Sequence, residues 1–335
     1  MKVEIAHGHG GGRSLELINE FILPALNAAG APTLDAARVA GFGPGDLAFS
    51  TDSFTISPLF FPGGDIGKLA VCGTVNDLAV SGAEPKHLSL ALILEEGFPL
   101  ASLRRIMESV GAACREAGAA VVCGDTKVVE RGKGDGIFIN VSGIGRPLTL
   151  RPLGPDRLAP GDVLLASGTV GDHGAAILAA RNGFPMGRAL ESDCASLWPM
   201  TRAVIDAAGE GLHAMRDPSR GGLAAALNEF ALDARAEILL REEAVPVRPD
   251  VRQFLEALGM DPFVLANEGK LVAFVAPEPA DAALAAMRET PLGAGAAAVG
   301  QVAGRRERGR VVLETPFGTR RVLDMPMAEG LPRIC

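Results

Sequence analysis

Arg146-Pro-Leu-Thr-Leu-Arg-Pro-Leu-Gly-Pro-Asp-Arg-Leu-Ala-Pro-Gly161 is the stretch that decides how this chain divides. Pro147, Pro152, Pro155 and Pro160 each remove a backbone donor and push the preceding residue toward extended geometry, and Gly154 adds a further break. The stretch reads as a linker near the middle of 335 residues. A chain of this length favours two domains of about 100 to 200 residues, each able to build a core without disulfides. The expected organisation is a first domain over 1–148, a linker over 149–160, a second domain over 161–323 and a tail over 324–335. The tail reads DMPMAEGLPRIC and has no periodicity, which makes it a movable arm.

Working back from the linker, 136–144 and 119–123 read as buried strands. Before them Leu100, Leu103, Met107, Val110 and Cys114 form one stripe of an amphipathic helix that stops at Gly118. A strand is expected over 88–94 and a helix over 67–81. Strand pieces over 47–49 and 54–56 flank a polar Ser50-Thr51-Asp52-Ser53, and Ser14 caps a helix carrying Leu15, Ile18, Ile22 and Leu26, with Pro24 as a kink or early end. Working forward, a strand over 162–166 and a loop over 167–174 lead into a helix closed by Gly183. A strand over 212–216 passes through Asp217-Pro-Ser-Arg-Gly-Gly222 into a helix from Leu223. Helices around 251–258 and 280–288, a strand over 271–275 and a hairpin over 311–323 turning at Pro316-Phe-Gly318 complete the pattern. Both halves mix helix and strand, so the fold class is α+β, in two mixed αβ domains.

Charge and cysteine usage exclude several classes of function. With 32 basic against 40 acidic residues, a net charge of -8 and no dense Lys/Arg run, the chain is no nucleic-acid binder. Five cysteines, an odd number without paired spacing, read as reduced thiols and point to the cytoplasm. Met1-Lys-Val-Glu-Ile-Ala-His lacks the features of a signal peptide, and no run of about 18 apolar residues suits a membrane span.

Several polar segments carry chemistry. His7-Gly-His-Gly-Gly-Gly12 leads into a helix, so unhindered N–H groups and a helix dipole converge as they do around a phosphate; the segment equally suits a loose leader. It is neither a Walker A loop nor a dinucleotide fingerprint. Asp52, Asp77 and Asp125 interrupt apolar neighbourhoods. Buried carboxylates need a partner, and Mg²⁺ beside a nucleoside triphosphate supplies one, although each aspartate alone also fits a cap or turn. Lys127 suits a phosphate or developing oxyanion, or a snorkelling edge lysine. Glu268, between apolar strands in Leu-Ala-Asn-Glu-Gly-Lys-Leu-Val, is a general base or a turn residue. Cys72, Cys114, Cys123 and Cys194 read as small core hydrophobes. Cys335, at the end of the arm, fits a carrier thiol loaded by another protein. His7, His9, His87, His173 and His213 show no zinc spacing.

Together HGHGGG, STDSF, NDLAVSGAEP, GDTKVV, SGTVGDHG, DPSRGGLA, ANEGK and the terminal PRIC resemble the HypE family of hydrogenase-maturation carbamoyl dehydratases. That family lies in the ATP-dependent superfamily of aminoimidazole ribonucleotide synthetase, selenophosphate synthetase and thiamine-phosphate kinase. The likeness spans the whole chain, and its most specific element is the terminal cysteine, which other superfamily members lack. It implies two domains of the aminoimidazole ribonucleotide synthetase type, ATP and Mg²⁺, and a homodimer joined through the first sheets. It implies that a HypF-type carbamoyltransferase loads Cys335, that ATP activates the S-carboxamide, and that loss of phosphate leaves an S-cyanide for iron on a HypC and HypD complex. By the same resemblance Glu268 is the base and Lys127 steadies the transferring phosphate. Asp52, Asp77 and Asp125 hold metal or nucleotide, with Thr126 beside them. His7, Gly8, Gly10, Gly11 and Gly12 cradle phosphate. His9, Cys123 and Ser219 depart from the family's commoner residues, and His9 bears on the geometry of the loop. Two other readings share much of this pattern: a superfamily kinase or ligase acting on a free metabolite, and a carrier that only ferries the carbamoyl or cyano group.

Overall fold

The structure is a computed structural model that describes residues 12, 15–16, 19–20, 36–39, 45–184 and 190–327. Most of the helix expected after Ser14, of which only residues 15–16 and 19–20 are described, lies outside the described residues, as do the loop residues His7 to Gly11 and Cys335.

The first half contains β1 (Ala37–Val39), β2 (Leu47–Phe54), the short β3 (Phe60–Phe61) and β4 (Gly64–Asp65), helix α1 (Ile66–Val80), β5 (Ala83–Glu95), helix α2 (Leu100–Ala117), β6 (Ala120–Val129) and β7 (Ile137–Pro147). Its five-stranded sheet has the order β1-β2-β7-β5-β6. All pairs are antiparallel except β5 and β6, which run parallel as the intervening α2 allows. Helix α1 starts where Asp65 accepts the N–H groups of Gly67 (2.8 Å) and Lys68 (3.1 Å). A side chain at position 67 would meet the Ile106 carbonyl at 2.4 Å, so glycine there is what lets α1 and α2 pack closely. Helix α2 buries Ile106, Val110, Ala113, Cys114 and Ala117, and it ends at Gly118 in the left-handed region (φ 66°), as the stripe predicts. Leu100, assigned to the same stripe, is instead 80% exposed at the first position of the helix.

Three expectations for this half change. The polar Ser50-Thr51-Asp52-Ser53 does not interrupt a strand: β2 is continuous and pairs with β7 from Ala48 to Phe54. Among the described residues only one face of this sheet is covered by helices, so polar residues can alternate within it. The 119–123 run is not a buried strand. Ala119 is buried, but β6 is the edge strand, and residues 120–128 are exposed, Cys123 among them. Pro147, the first proline of the 146–161 stretch, closes β7 opposite Ala83. The stretch that follows is packed, with Leu153 and Leu158 buried and a 3-10 turn at Pro155–Arg157.

The second half contains β8 (Val163–Ala166), α3 (Asp172–Arg181), α4 (Trp198–Ala208), β9 (Leu212–Arg216), α5 (Gly222–Ala234), β10 (Ala236–Arg241), α6 (Pro249–Leu258), β11 (Val272–Val275), α7 (Pro277–Arg288), β12 (Ala297–Arg305), β13 (Arg310–Glu314) and β14 (Arg320–Leu323). They build a seven-stranded sheet in the order β14-β13-β10-β12-β8-β11-β9. Leu164, Ala214, Val272 and Phe274 pack with Leu223, Leu227 and Phe230 of α5. Leu165, Met215, Ala273 and Val275 pack with Met200 and Val204 of α4 and Ala283 and Met287 of α7. Burial on both faces explains why β8 and β11 read as unbroken apolar runs. In this half helix α4 and strands β10 and β12 are the elements the sequence pattern misses; β12 is rich in alanine and glycine, which are weak strand formers. The β13–β14 hairpin forms as expected and turns at Gly318 (φ 76°). Among the described residues no helix is long and apolar enough to cross a membrane.

Candidate functional site

Glu268 sits in the loop before β11, at the seam of the two halves. Its backbone N–H donates to Asp193 Oδ1 (3.0 Å), and its carbonyl accepts from Ala195 N–H (3.3 Å) and from Asn76 Nδ2 of α1 (3.3 Å). The neighbouring Asn267 fastens the same loop to two others. Its Oδ1 accepts from Gly171 N–H (2.7 Å) and its Nδ2 donates to Pro218 O (3.2 Å). Gly269 is obligatory, because a side chain there would meet the Asp193 carbonyl at 1.8 Å. Lys270 ties the arrangement down with its ammonium 3.3 Å from Asp193 and 3.9 Å from Asp172.

The Glu268 side chain is 2% exposed, and its Oε1 has no hydrogen-bond partner among the described residues. Burial pushes its pKa well above the carboxylate range; the Asp217, Asp193 and Asp52 carboxylates push the same way, while Arg220 opposes them. A carboxyl held at high pKa binds a proton firmly once it has ionised, which is the property a base at a weakly acidic N–H needs. Neighbouring Asp172 is also raised, first by burial.

From the first half, Asp52 comes close enough to Glu268 to act on its carboxyl, and Asp77 lies next along α1 to Asn76. Asp52 points from β2 toward α1, where its Oδ2 lies 3.7 Å from the side-chain position of Gly73. It forms an ion pair with Arg220 across the seam. Asp77 on α1 accepts from Ser50 Oγ (2.7 Å).

Asp125, Thr126 and Lys127 are elsewhere. They lie on edge strand β6, separated from β2 by β7 and β5, about 14 Å at ordinary strand spacing. The register places Asp52 in one row with Val141, Leu90 and Gly124, and Asp125 in the next row with Ala91, Asn140 and Ser53. Side chains of adjacent rows leave opposite faces of a sheet, so Asp125 and Lys127 face away from Asp52. They pair with each other at 2.8 Å, both largely exposed, and the Lys127 hydrogen bond lowers the Asp125 pKa. The expected trio of aspartates therefore does not converge within one chain. Asp52 is engaged by Arg220, Asp77 by Ser50 and Asp125 by Lys127, and among the described residues no three metal-binding side chains form a group. The described residues of a single chain do not fit a Mg²⁺ centre.

Gly12 is the one glycine of the expected phosphate loop among the described residues. Its N–H donates to the Pro326 carbonyl at 3.1 Å, and a side chain there would meet Met327 Sδ at 2.8 Å. In this arrangement it faces the base of the tail. Cys72, Cys114 and Cys194 are buried as expected; hydrogen bonding with Cys72 and burial push Cys194 up, and burial pushes Cys114 up, which leaves both unreactive. The reading from sequence missed Asn76, Asp193, Arg220 and Lys270. A signal existed for Asn76, an amide inside the apolar run Leu69–Val80, and for Arg220, the charge in a Pro-Ser-Arg-Gly-Gly turn. Asp193 had none.

Comparison with known proteins agrees with this architecture. The family described as AIR synthase related protein matches residues 34–146 with its N-terminal domain and 159–312 with its C-terminal domain. Carbamoyl dehydratase HypE of Rhodobacter capsulatus is 49% identical, covering 100% of this chain and 98% of that protein. The crystal structure of hydrogenase maturation protein HypE in complex with ATP is similar with a TM-score of 0.84 and 46% identity, covering 100% of both chains. The HypE chain of a HypE–HypF complex is similar with a TM-score of 0.87 and 42% identity, covering 92% of this chain and 99% of that one. Identity at this level along the whole length, on the same two αβ domains, places the chain in one family: it belongs to the HypE carbamoyl dehydratases of hydrogenase maturation, built on the AIR synthase framework.

Proposed function

We propose that the chain uses ATP to dehydrate an S-carboxamide on its own Cys335 to an S-cyanide, which then serves as the cyanide ligand of [NiFe] hydrogenase iron. The observation that carries the reading is Glu268: a buried carboxyl of raised pKa, with one oxygen unpartnered, at the seam that Asp52 and Arg220 close. A HypF-type carbamoyltransferase supplies the carbamoyl group; a relative's structure with HypF supports that partner, and a relative's structure with ATP supports the nucleotide.

The chemistry balances without a further reagent. The carboxamide oxygen attacks the γ-phosphorus of ATP and ADP leaves. That oxygen, a poor leaving group as a carbonyl, is now part of phosphate, which departs readily. Nitrogen loses both of its protons: the first passes to solvent as phosphorylation of the oxygen leaves a neutral imidate, and Glu268 accepts the second as the carbon–oxygen bond breaks, leaving carbon triply bonded to nitrogen. The products are S-cyanide, ADP and phosphate, and the cyanide passes to iron on a HypC and HypD complex. Lys127 is assigned to the transferring phosphate and the His7 to Gly12 loop to the nucleotide phosphates.

The position of Lys127 and Asp125 favours a homodimer. On the open side of the first sheet Phe49, Ile93 and Ile144 are exposed, and along the edge Val121, Val122 and Val128 are exposed beside them. Exposed apolar side chains on a sheet face and its edge strand are of the kind an interface buries. A second copy would also give Asp125 and Lys127 a site to complete, which the described residues of their own chain do not offer. Sedimentation should show one species at twice the 34.6 kDa chain mass, and a monomer would count against the dimer. The function itself is tested by the intact mass of the chain with HypF, carbamoyl phosphate and ATP. One carbamoyl group should be gained, and one water should then be lost only when ATP is present.

A further inference from the structure

Glu268 owes its place to a residue of the other domain. Asn76 lies in the middle of α1, with no exposed surface, and all of its side-chain hydrogen bonds cross the seam. Its Nδ2 donates to Ala195 O (3.0 Å) and Glu268 O (3.3 Å), and its Oδ1 accepts from Leu197 N–H (2.8 Å). With Asp193 Oδ1 on the Glu268 N–H (3.0 Å), the backbone of Glu268 is gripped on both sides by side chains from outside its own loop. The next residue along α1, Asp77, is bound to Ser50 on β2, two residues from Asp52. One helix therefore connects the group that holds Glu268 to the carboxylates on the first sheet.

We propose that Asn76 is a positioning residue for the dehydration: it fixes the Glu268 carboxyl relative to the first domain, so that base and activated carboxamide meet in one geometry. The proposal rests on the assignment of Glu268 as the base. A plain packing role does not need this arrangement, because a buried apolar side chain would fill the space without ordering two carbonyls and an N–H. Replacing the amide by a carboxyl keeps the shape but removes the pair of donors, leaves at least one buried carbonyl unpartnered, and lets the 193–197 and 267–269 segments move apart.

The test uses the full chain, carbamoylated by a HypF-type enzyme, in single-turnover dehydration followed by intact mass across pH. Asn76→Asp should slow the step on the order of 100-fold, the cost of displacing a reacting group by about 1 Å, with ATP binding unchanged within about twofold. The pH at half-maximal rate should also move upward, because the introduced carboxyl adds to those already opposing ionisation of Glu268. Asn76→Ser, whose hydroxyl can serve one carbonyl, should fall between the two and supplies the answer if the aspartate variant does not fold. Ile238→Ala, in the core of the second sheet, is the control for general destabilisation. A wild-type rate and pH midpoint in the Asn76 variants would overturn the proposal, as would a loss equal to that of Ile238→Ala with the midpoint unmoved. Glu268→Gln run in parallel separates the two assignments. If it is inactive while the Asn76 variants are normal, only the positioning role fails; if it is fully active, the base assignment fails and the positioning role goes with it.

Discussion

Glu268→Gln is expected to lower the dehydration rate by about a thousandfold, within the range that general-base catalysis supplies, while carbamoylation and ATP binding persist. The amide is nearly the same shape, and the backbone contacts to Asp193, Ala195 and Asn76 do not involve the side chain, so the loop keeps its form. What disappears is the ability to accept a proton. The wild-type rate should fall as pH is lowered through the raised pKa of Glu268, because only the ionised form is a base; the residual rate of the variant should lack that limb. Stability reports the same group from the other side. A carboxyl whose pKa is higher folded than unfolded holds its proton more tightly in the native state, so its contribution is fully present below the ordinary carboxylate range and is lost as pH rises through the folded pKa. The wild-type melting temperature should therefore decline relative to Glu268→Gln over that window. Parallel melting curves would weaken the claim that burial and three neighbouring carboxylates raise this group.

Cys335→Ala should abolish the reaction outright. With no thiol to carry the carbamoyl group there is nothing to dehydrate, and the intact mass should stay constant with HypF, carbamoyl phosphate and ATP together. ATP binding should be unaffected. Cys123 is the competing thiol that must be considered, because it is exposed on β6 whereas Cys72, Cys114 and Cys194 are buried. Carbamoylation of the Cys335→Ala chain, mapped to Cys123, would contradict the assignment of the carrier.

Much of the fold was legible because its strongest elements obey simple periods. The α2 stripe ends in a left-handed glycine, and the β13–β14 hairpin turns where Pro316-Phe-Gly318 said it would. The failures have physical causes. The edge position of β6 cannot be read from a valine-rich run, since the same residues suit a core strand or an interface. Strand β2 looked broken because polar residues on a half-covered sheet resemble a loop. The site was harder still. Glu268 and Asp52 were identified from polarity in apolar surroundings, and they do come close enough for one carboxylate to raise the other. The sequence could not show that Asp125 and Lys127 leave the opposite face of the sheet, because that depends on a register set through two intervening strands. Nor could it show that Asn76, rather than its neighbour Asp77, grips the Glu268 loop: adjacent positions on a helix differ by about 100° in direction, and only tertiary packing decides what each one meets.

The central claim, that ATP activates the carboxamide oxygen so that it leaves as phosphate, can be read from the fate of that oxygen. The chain would be carbamoylated with heavy-oxygen-labelled carbamoyl phosphate, freed of reagents, and given ATP for a single turnover. The account predicts that the label lost from the protein appears in the released inorganic phosphate, matching the S-cyanide formed. Label found in water, with unlabelled phosphate, would mean that ATP hydrolysis and dehydration are separate events and would contradict it.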